Sequence, residues 1–87
     1  MSSIDDLMDV FCRIRRPEEM RQFFDEIFTS AERHDLALRW ELMQMLHEGL
    51  PQRDIAAQLG ISLCKITRGA KILKQRNSIS RKMLSSR

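Results

Sequence analysis

The sequence predicts an all-α fold of six helices, and three observations support this prediction. Apolar residues recur at helical spacing along the chain, and runs of alternating β-branched residues are absent. The 87 residues contain only three glycines and no tyrosine. Apolar spacing of three and four residues is typical of helices that pack one face against a core. The length allows one domain, which we expect to span residues 1–87.

The first two helices are predicted from two apolar stripes that a proline separates. Ser2 or Ser3 can cap the first helix. Pro17 fits the first turn of the second helix, because proline lacks an N–H that this position leaves unused. The stripes are, in chain order, Ile4, Leu7, Met8, Phe11 and Ile14, followed by Met20, Phe23, Phe24 and Ile27. Both helices should therefore bury one face.

The third and longest helix is predicted at about residues 30–48. It begins with a capping box, in which the Thr29 hydroxyl accepts from the N–H of Glu32 and the Glu32 carboxylate accepts from the N–H of Thr29. It ends at Gly49, which can adopt the left-handed conformation of a C-cap. Because its apolar residues lie almost all round the helix, we expect it to be buried, inside the domain or against a second chain.

Two short helices, at about 52–59 and 63–74, are predicted to form a helix-turn-helix. Ala56 is small enough for the two helices to approach each other, and Gly60 can adopt positive φ in the turn between them. Ile66 can fill the angle between the helices. The alternative interpretation is an ordinary αα-hairpin that binds no ligand.

Polar residues mark the N-caps of the last two helices. Ser62 precedes the second helix of the helix-turn-helix, which spans about 52–74 as a whole. Asn77 precedes a final short helix, so that the core helices are predicted at about 3–48 and 77–85. The last three residues are expected to fray.

Charge is divided unevenly along the chain. Residues 1–51 contain 11 acidic and 6 basic side chains, a net charge of −5, whereas residues 52–87 contain 1 acidic and 9 basic side chains, a net charge of +8. A basic helix-turn-helix next to an acidic core favours binding of a polyanion such as double-stranded DNA. The alternatives are a solvated basic tail and a module that binds an acidic protein partner.

The second helix of such a motif enters the major groove by its N-terminal residues. Leu63 and Cys64 cannot form the bidentate base contacts of Arg, Asn or Gln, so direct readout should be limited, and Arg53 is the guanidinium best placed for a base edge. Lysines of this segment are better explained as phosphate contacts. The candidate DNA-binding residues are Arg53, Ser62, Leu63, Cys64, Lys65, Thr67, Lys71 and Lys74.

Other classes of protein are not favoured by the sequence. Cys12 and Cys64 lack metal-ligand spacing and follow no signal-peptide pattern, so we expect reduced thiols, no metal site and a cytoplasmic location. His34 and His47 have no placed nucleophile, so neither an enzyme nor a catalytic residue is expected. No apolar run approaches the roughly 18 residues of a membrane span, so no membrane partner is expected.

The segment from about Phe28 to Lys74 resembles the Trp repressor family. The resemblance is carried by Phe28-Thr29-Ser30-Ala31-Glu32-Arg33, Leu36-Ala37-Leu38-Arg39-Trp40, Glu48-Gly49, Gln52-Arg53-Asp54-Ile55-Ala56 and, most specifically, Ile66-Thr67-Arg68-Gly69. It implies an intertwined homodimer that binds operator DNA of tryptophan biosynthesis or uptake genes when L-tryptophan occupies a corepressor pocket. No other cofactor is implied.

The resemblance also implies how tryptophan is bound. The indole would lie between the guanidinium planes of Arg39 and Arg68, because Arg stacks on aromatic faces. Arg68 would bind the carboxylate with help from the Thr29 hydroxyl, and Gly69 would leave room for the indole. Arg39 has an alternative role as the partner of Asp35, one turn earlier on its own helix.

For the ligand's ammonium, the resemblance implies backbone carbonyls around Glu26 to Phe28 of the partner subunit, at the negative end of a helix dipole. Ile72 lies where the best-known members of the family carry a serine near this ammonium. The implied corepressor-binding residues are Thr29, Arg39, Arg68, Gly69, Ile72 and Phe28. The alternative function is a helix-turn-helix regulator on the same scaffold that does not use tryptophan as corepressor.

Overall fold

A computed structural model of the chain describes residues 2–86, and these residues form six α-helices and no strand. The helices are α1 (Ser3–Arg13), α2 (Pro17–Ile27), α3 (Ser30–His47), α4 (Gln52–Leu59), α5 (Leu63–Lys74) and α6 (Ile79–Ser85). The predicted all-α, six-helix fold is therefore confirmed. The chain divides into two units, residues 2–33 and 34–86, which we call the N-terminal and C-terminal units.

In the N-terminal unit, α1 and α2 begin where their caps predict. The Ser2 hydroxyl accepts from the backbone N–H of Asp5 at 3.3 Å, which identifies Ser2 as the N-cap of α1. Pro17 occupies the first turn of α2. The rings of Phe11 and Phe23 meet edge to face, with centroids 5.4 Å apart. The two predicted apolar stripes therefore pack against each other at this pair.

Side chains hold the junction between α2 and α3. The predicted capping box is present, with the Thr29 N–H 2.8 Å from the Glu32 carboxylate and the Glu32 N–H 3.2 Å from the Thr29 hydroxyl. Arg33 donates to the backbone carbonyls of Asp25 and Phe28 and lies 3.4 Å from the Asp25 carboxylate. The orphan groups at both helix ends thus find partners nearby.

The core of the C-terminal unit lies around the helix-turn-helix. Ile55 of α4 and Ile66 of α5 are fully buried, and Leu42 and Met43 of α3 and Leu84 of α6 complete the buried cluster. Ile66 therefore fills the angle between the two short helices, as predicted. Burying these side chains is the main favourable contribution to the packing of the unit.

Burial of α3 within its own chain is much less than the sequence analysis predicted. Of the residues of this helix, only Leu42 and Met43 are buried, and Trp40 remains 38% exposed. Leu36 and Leu38 in the first half of α3 are only partly buried, so the prediction is wrong for burial inside the domain. Burial against a second chain stays a prediction.

Glycines make both predicted left-handed turns. Gly49 has φ of +90° after α3, and Gly60 has φ of +65° between α4 and α5. A side chain in this region of φ is strained, whereas glycine has no Cβ that clashes. The helix-turn-helix therefore has the tight turn that its sequence indicates.

The predicted caps of the last two helices need correction. Ser62 occupies the N-cap position of α5, but its hydroxyl makes no capping hydrogen bond. The N-cap of α6 is Ser78 rather than Asn77, because the buried Ser78 hydroxyl accepts from the N–H of Arg81 at 3.1 Å. Fraying was predicted from residue 85 onwards, but Ser85 is helical. Arg87 lies outside the described residues.

Candidate functional site

The two helices of the helix-turn-helix are joined by polar as well as apolar contacts. The Thr67 hydroxyl of α5 lies 3.4 Å from the side-chain oxygen of Gln52 in the first turn of α4. This contact links the surface of α5 to the start of α4, above the buried pair Ile55 and Ile66. The solvent-exposed sides of α4 and α5 therefore form one continuous surface, which these polar and apolar contacts hold together.

All eight candidate DNA-binding residues are exposed on this surface. Leu63, at the first position of α5, is 48% exposed although it is a large apolar residue. Leu63 and Cys64 therefore remain available at the end of the helix that would enter a groove. The full set is Arg53, Ser62, Leu63, Cys64, Lys65, Thr67, Lys71 and Lys74. Their contacts with DNA stay a prediction.

A cavity of about 560 Å³ lies between α3 and α5 in the C-terminal unit. Four of the implied corepressor residues line it, namely Arg39, Arg68, Gly69 and Ile72. Its apolar lining comes from Leu36, Leu38, Trp40, Leu42, Met43 and Ile61. Such a combination of apolar walls and few charged groups is typical of small-molecule sites. The other two implied residues, Thr29 and Phe28, belong to the N-terminal unit.

Charged groups of both signs line this cavity. Arg39, Lys65 and Arg68 are cations, and Asp35 is the carboxylate among the lining residues. Among residues 2–86, the ion pairs lie between residues 9 and 33, so these four groups form none with each other. The predicted alternative pair of Arg39 with Asp35 is therefore not formed. The excess of cations favours an anionic group on the occupant.

Two of these charged residues, Asp35 and Lys65, are not predicted to line a pocket from the sequence. The sequence predicts a contact with DNA for Lys65 and an ion pair with Arg39 for Asp35. The sequence does contain a signal that Asp35 lines the pocket. Asp35 lies four residues before Arg39, a candidate pocket residue, and residues four apart lie on one face of a helix. Lys65 has the corresponding spacing of three from Arg68.

Gly69 brings α5 close to α3. A Cβ at this position would lie 2.6 Å from Leu42 Cδ1, 3.1 Å from Met43 Sδ and 3.2 Å from Leu46 Cδ1. The first distance is shorter than real Cβ contacts, and Leu42 is itself only 2% exposed. An alanine here would therefore force the buried Leu42 side chain to shift, so packing within the chain favours glycine in addition to any requirement of a ligand.

The described residues include no arranged set of metal ligands and no helix able to span a membrane. Cys12 and Cys64 are free and exposed, and residues 2–86 contain no group of three His, Cys, Asp or Glu arranged to hold a metal ion. None of the helices described is both long and apolar enough to cross a membrane.

Comparisons with known proteins agree on one family. The model of the family described as Trp repressor protein matches residues 2–87. A Trp operon repressor homolog of Chlamydia caviae is 39% identical over 70 residues, which cover 79% of this chain and 69% of the relative. A Trp operon repressor homolog of Xylella fastidiosa strain M23 is 33% identical over 72 residues, which cover 82% of this chain and 78% of the relative. No solved structure gives a significant match. The chain therefore belongs to the Trp repressor family, and its role is that of a repressor in transcription regulation.

Proposed function

We propose that the chain is an L-tryptophan-dependent repressor that binds, as a homodimer, operator DNA of tryptophan biosynthesis or uptake genes. The repressor role follows from the family. The observation that carries the ligand dependence is the cavity in which Arg39, Arg68, Gly69 and Ile72 lie together. The proposal needs no other cofactor, and it places the protein in the cytoplasm with bacterial DNA.

The chemistry of the cavity suits an aromatic carboxylate. A volume of about 560 Å³ is within the range of small-molecule pockets, and its walls are mostly apolar. Arg39 and Arg68 can stack on an indole, and a guanidinium also presents two parallel donors to a carboxylate. In the proposed complex Arg68 binds the carboxylate with help from a Thr29 hydroxyl, and backbone carbonyls around Phe28 of the partner subunit accept from the ammonium.

Ligand binding is proposed to act on the orientation of α5. The cavity lies between α3 and the recognition helix α5, so an occupant packs against both helices. Tryptophan then stabilises the state in which the two recognition helices of a dimer are about 34–36 Å apart, one turn of DNA. That spacing is a general property of dimeric helix-turn-helix repressors, of which the Trp repressor is a known example.

On DNA, the proposed complex relies more on phosphates than on bases. The exposed lysines of α5 supply the charge, whereas Leu63 and Cys64 at its start have no bidentate donor pair. An apolar residue at the end of the helix can contact a thymine methyl group. Arg53 remains the side chain best suited to a base edge.

The test is calorimetric titration of Arg68→Leu with L-tryptophan. The substitution removes a stacking plane and the donors to the carboxylate. We therefore expect the free energy of tryptophan binding to become less favourable by at least ~2 kcal/mol while the protein remains folded. Arg53→Leu is the matched control, because this exposed arginine of α4 does not line the cavity. Normal binding by Arg68→Leu would show that the pocket lies elsewhere.

The wild-type protein provides the wider test. It should bind L-tryptophan in preference to L-phenylalanine and L-tyrosine. Its binding to DNA should require bound L-tryptophan. A protein that gives no heat with tryptophan but still binds DNA would contradict the proposal. It would then be a helix-turn-helix regulator on the same scaffold that uses no tryptophan.

A further inference from the structure

A second basic surface lies at the junction of α5 and α6, beyond the helix-turn-helix. Residues 75–87 contain four basic side chains and no acidic one, a net charge of +4. A cavity of about 320 Å³ lies at this junction, lined by the three cations Arg76, Arg81 and Lys82. Neutral residues complete the lining, namely Asn77, Ser78, Ile79 and Ser85. The junction therefore attracts an anion, with no carboxylate in its lining to compete.

Hydrogen bonds hold this junction in place, so its cations do not belong to a loose tail. The Arg81 guanidinium donates to the backbone carbonyl of Leu73 at 2.8 Å and to that of Arg76 at 2.9 Å. It thereby satisfies a carbonyl in the last turn of α5, where helical partners are missing. The buried Ser78 hydroxyl caps α6. Arg76 and Lys82 therefore extend from fixed backbone positions.

Arg76 and Lys82 are the cations of this junction that an external anion can reach. Both are exposed, and neither forms an ion pair within residues 2–86. The sequence explains the lack of partners, because residues 55–87 contain no Asp or Glu. Arg81 differs from them, since it is only partly exposed and its guanidinium is occupied by the two carbonyls.

The length of α5 favours DNA phosphates as that anion. The helix has 12 residues, so at about 1.5 Å per residue it is about 18 Å long. The major groove is only about 12 Å wide and 8.5 Å deep. A helix that enters the groove by its N-terminal residues therefore has its other end at or beyond the phosphates that border the groove. Lys71 and Lys74 lie in the last turn of α5, and Arg76 follows two residues later.

We propose that Arg76 and Lys82 bind DNA phosphates flanking the bases that the start of α5 contacts. The inference rests on the proposed function, because it assumes that α5 lies in the major groove. It extends the DNA-binding surface beyond the helix-turn-helix to the junction with α6. These two contacts are independent of DNA sequence, since phosphates carry no base information.

The experiment measures binding to a random-sequence DNA duplex by fluorescence anisotropy at several salt concentrations, with L-tryptophan at saturation. Arg76→Gln and Lys82→Gln each remove one charge but keep a polar side chain. Each variant should reduce the magnitude of the log–log salt slope by about 0.9, and the double variant by about 1.8, because every phosphate contact releases counterions. Circular dichroism verifies that the variants keep the helical fold.

Arg15→Gln is the matched control. Arg15 is exposed in the N-terminal unit and forms no ion pair within residues 2–86, so its replacement lowers the net charge by the same amount. This variant should keep the wild-type slope. An equal reduction of the slope in Arg15→Gln would overturn the inference, because the effect would then come from net charge and not from a contact.

The remaining outcomes distinguish this inference from the proposed function. If the wild-type protein binds DNA and the double variant has the wild-type slope, Arg76 and Lys82 do not contact phosphates, although the repressor still binds through its helix-turn-helix. If the wild-type protein binds no DNA in the presence of tryptophan, the proposed function fails, and this inference fails with it.

Discussion

Glu32 shows how one side chain can stabilise a helix in a manner that depends on pH. Its carboxylate accepts from the backbone N–H of Thr29, and further hydrogen bonding with the Thr29 side chain adds to the effect. These bonds lower the pKa of Glu32 below its ordinary value of 4.5. A carboxyl whose pKa is lower in the folded than in the unfolded state stabilises the fold when ionised. That contribution is complete above the unfolded pKa and disappears as the pH falls through the folded pKa.

Glu32→Gln should therefore weaken the pH dependence of stability on the acid side. Glutamine can still accept from the N–H of Thr29 in a capping box but does not ionise. We expect the free energy of unfolding to decline less steeply in the variant than in the wild type as the pH is lowered from about 5. Urea unfolding followed by circular dichroism at a series of pH values measures this slope. Glu41→Gln, outside the capping box, serves as control, and a Glu32→Gln slope equal to that of the wild type would contradict the expectation.

The contact between α3 and α5 depends on a residue without a side chain. Gly69 is buried, and the nearest atoms to a Cβ there belong to Leu42, Met43 and Leu46 of α3. Glycine within a helix costs about 1 kcal/mol relative to alanine. The close approach of the helices explains why this cost is tolerated.

Gly69→Ala should destabilise the protein even without ligand. Overpacking costs roughly 1–3 kcal/mol, and the gain in helix propensity offsets about 1 kcal/mol of it, so we expect a net loss of about 1 kcal/mol. If glycine were required only by the ligand, alanine would instead stabilise the ligand-free protein. Urea unfolding at fixed protein concentration shows whether Gly69→Ala lowers or raises the free energy of unfolding of the ligand-free protein. In a Leu42→Ala background, which removes the nearest methyl group, the loss caused by Gly69→Ala should disappear.

The whole chain separates an acidic part from a basic part. Residues 1–51 have a net charge of −5 and residues 52–87 one of +8, and the helix-turn-helix at 52–74 contributes half of this +8. The basic side chains of α5 are exposed, whereas the apolar residues that hold the motif together are buried. Binding to DNA should therefore be dominated by phosphate contacts and depend strongly on salt.

Lys71→Ala and Arg53→Ala should affect DNA binding differently. Loss of one phosphate contact in Lys71→Ala should reduce the magnitude of the log–log salt slope by about 1 and weaken all DNA sequences alike. Loss of a base contact in Arg53→Ala should reduce the preference for operator over random DNA. Fluorescence anisotropy at several salt concentrations with both kinds of DNA measures the two effects. Interchanged results would reverse the roles assigned to these residues.

Local sequence patterns were enough to predict the helices, the capping box of α3 and the helix-turn-helix. Each of these features depends on residues within about four positions of one another, as the hydrogen bonds between Thr29 and Glu32 illustrate. The left-handed turn at Gly60 and the apolar spacing of Ile55 and Ile66 are equally local signals. Where two neighbouring residues could perform the same role, as with Asn77 and Ser78, local signals did not distinguish them.

The three-dimensional fold, and no local pattern, sets which side chains meet across helices. It placed Asp35 and Lys65 on the same cavity as Arg39 and Arg68, and it set Gly69 against Leu42. It also left Leu36 and Leu38 only partly buried and Trp40 exposed, although the apolar pattern of α3 indicates a buried helix. The physical reason is that such contacts depend on how helices distant in sequence approach each other. That approach is governed by the packing of buried side chains across the whole C-terminal unit, which no short pattern encodes.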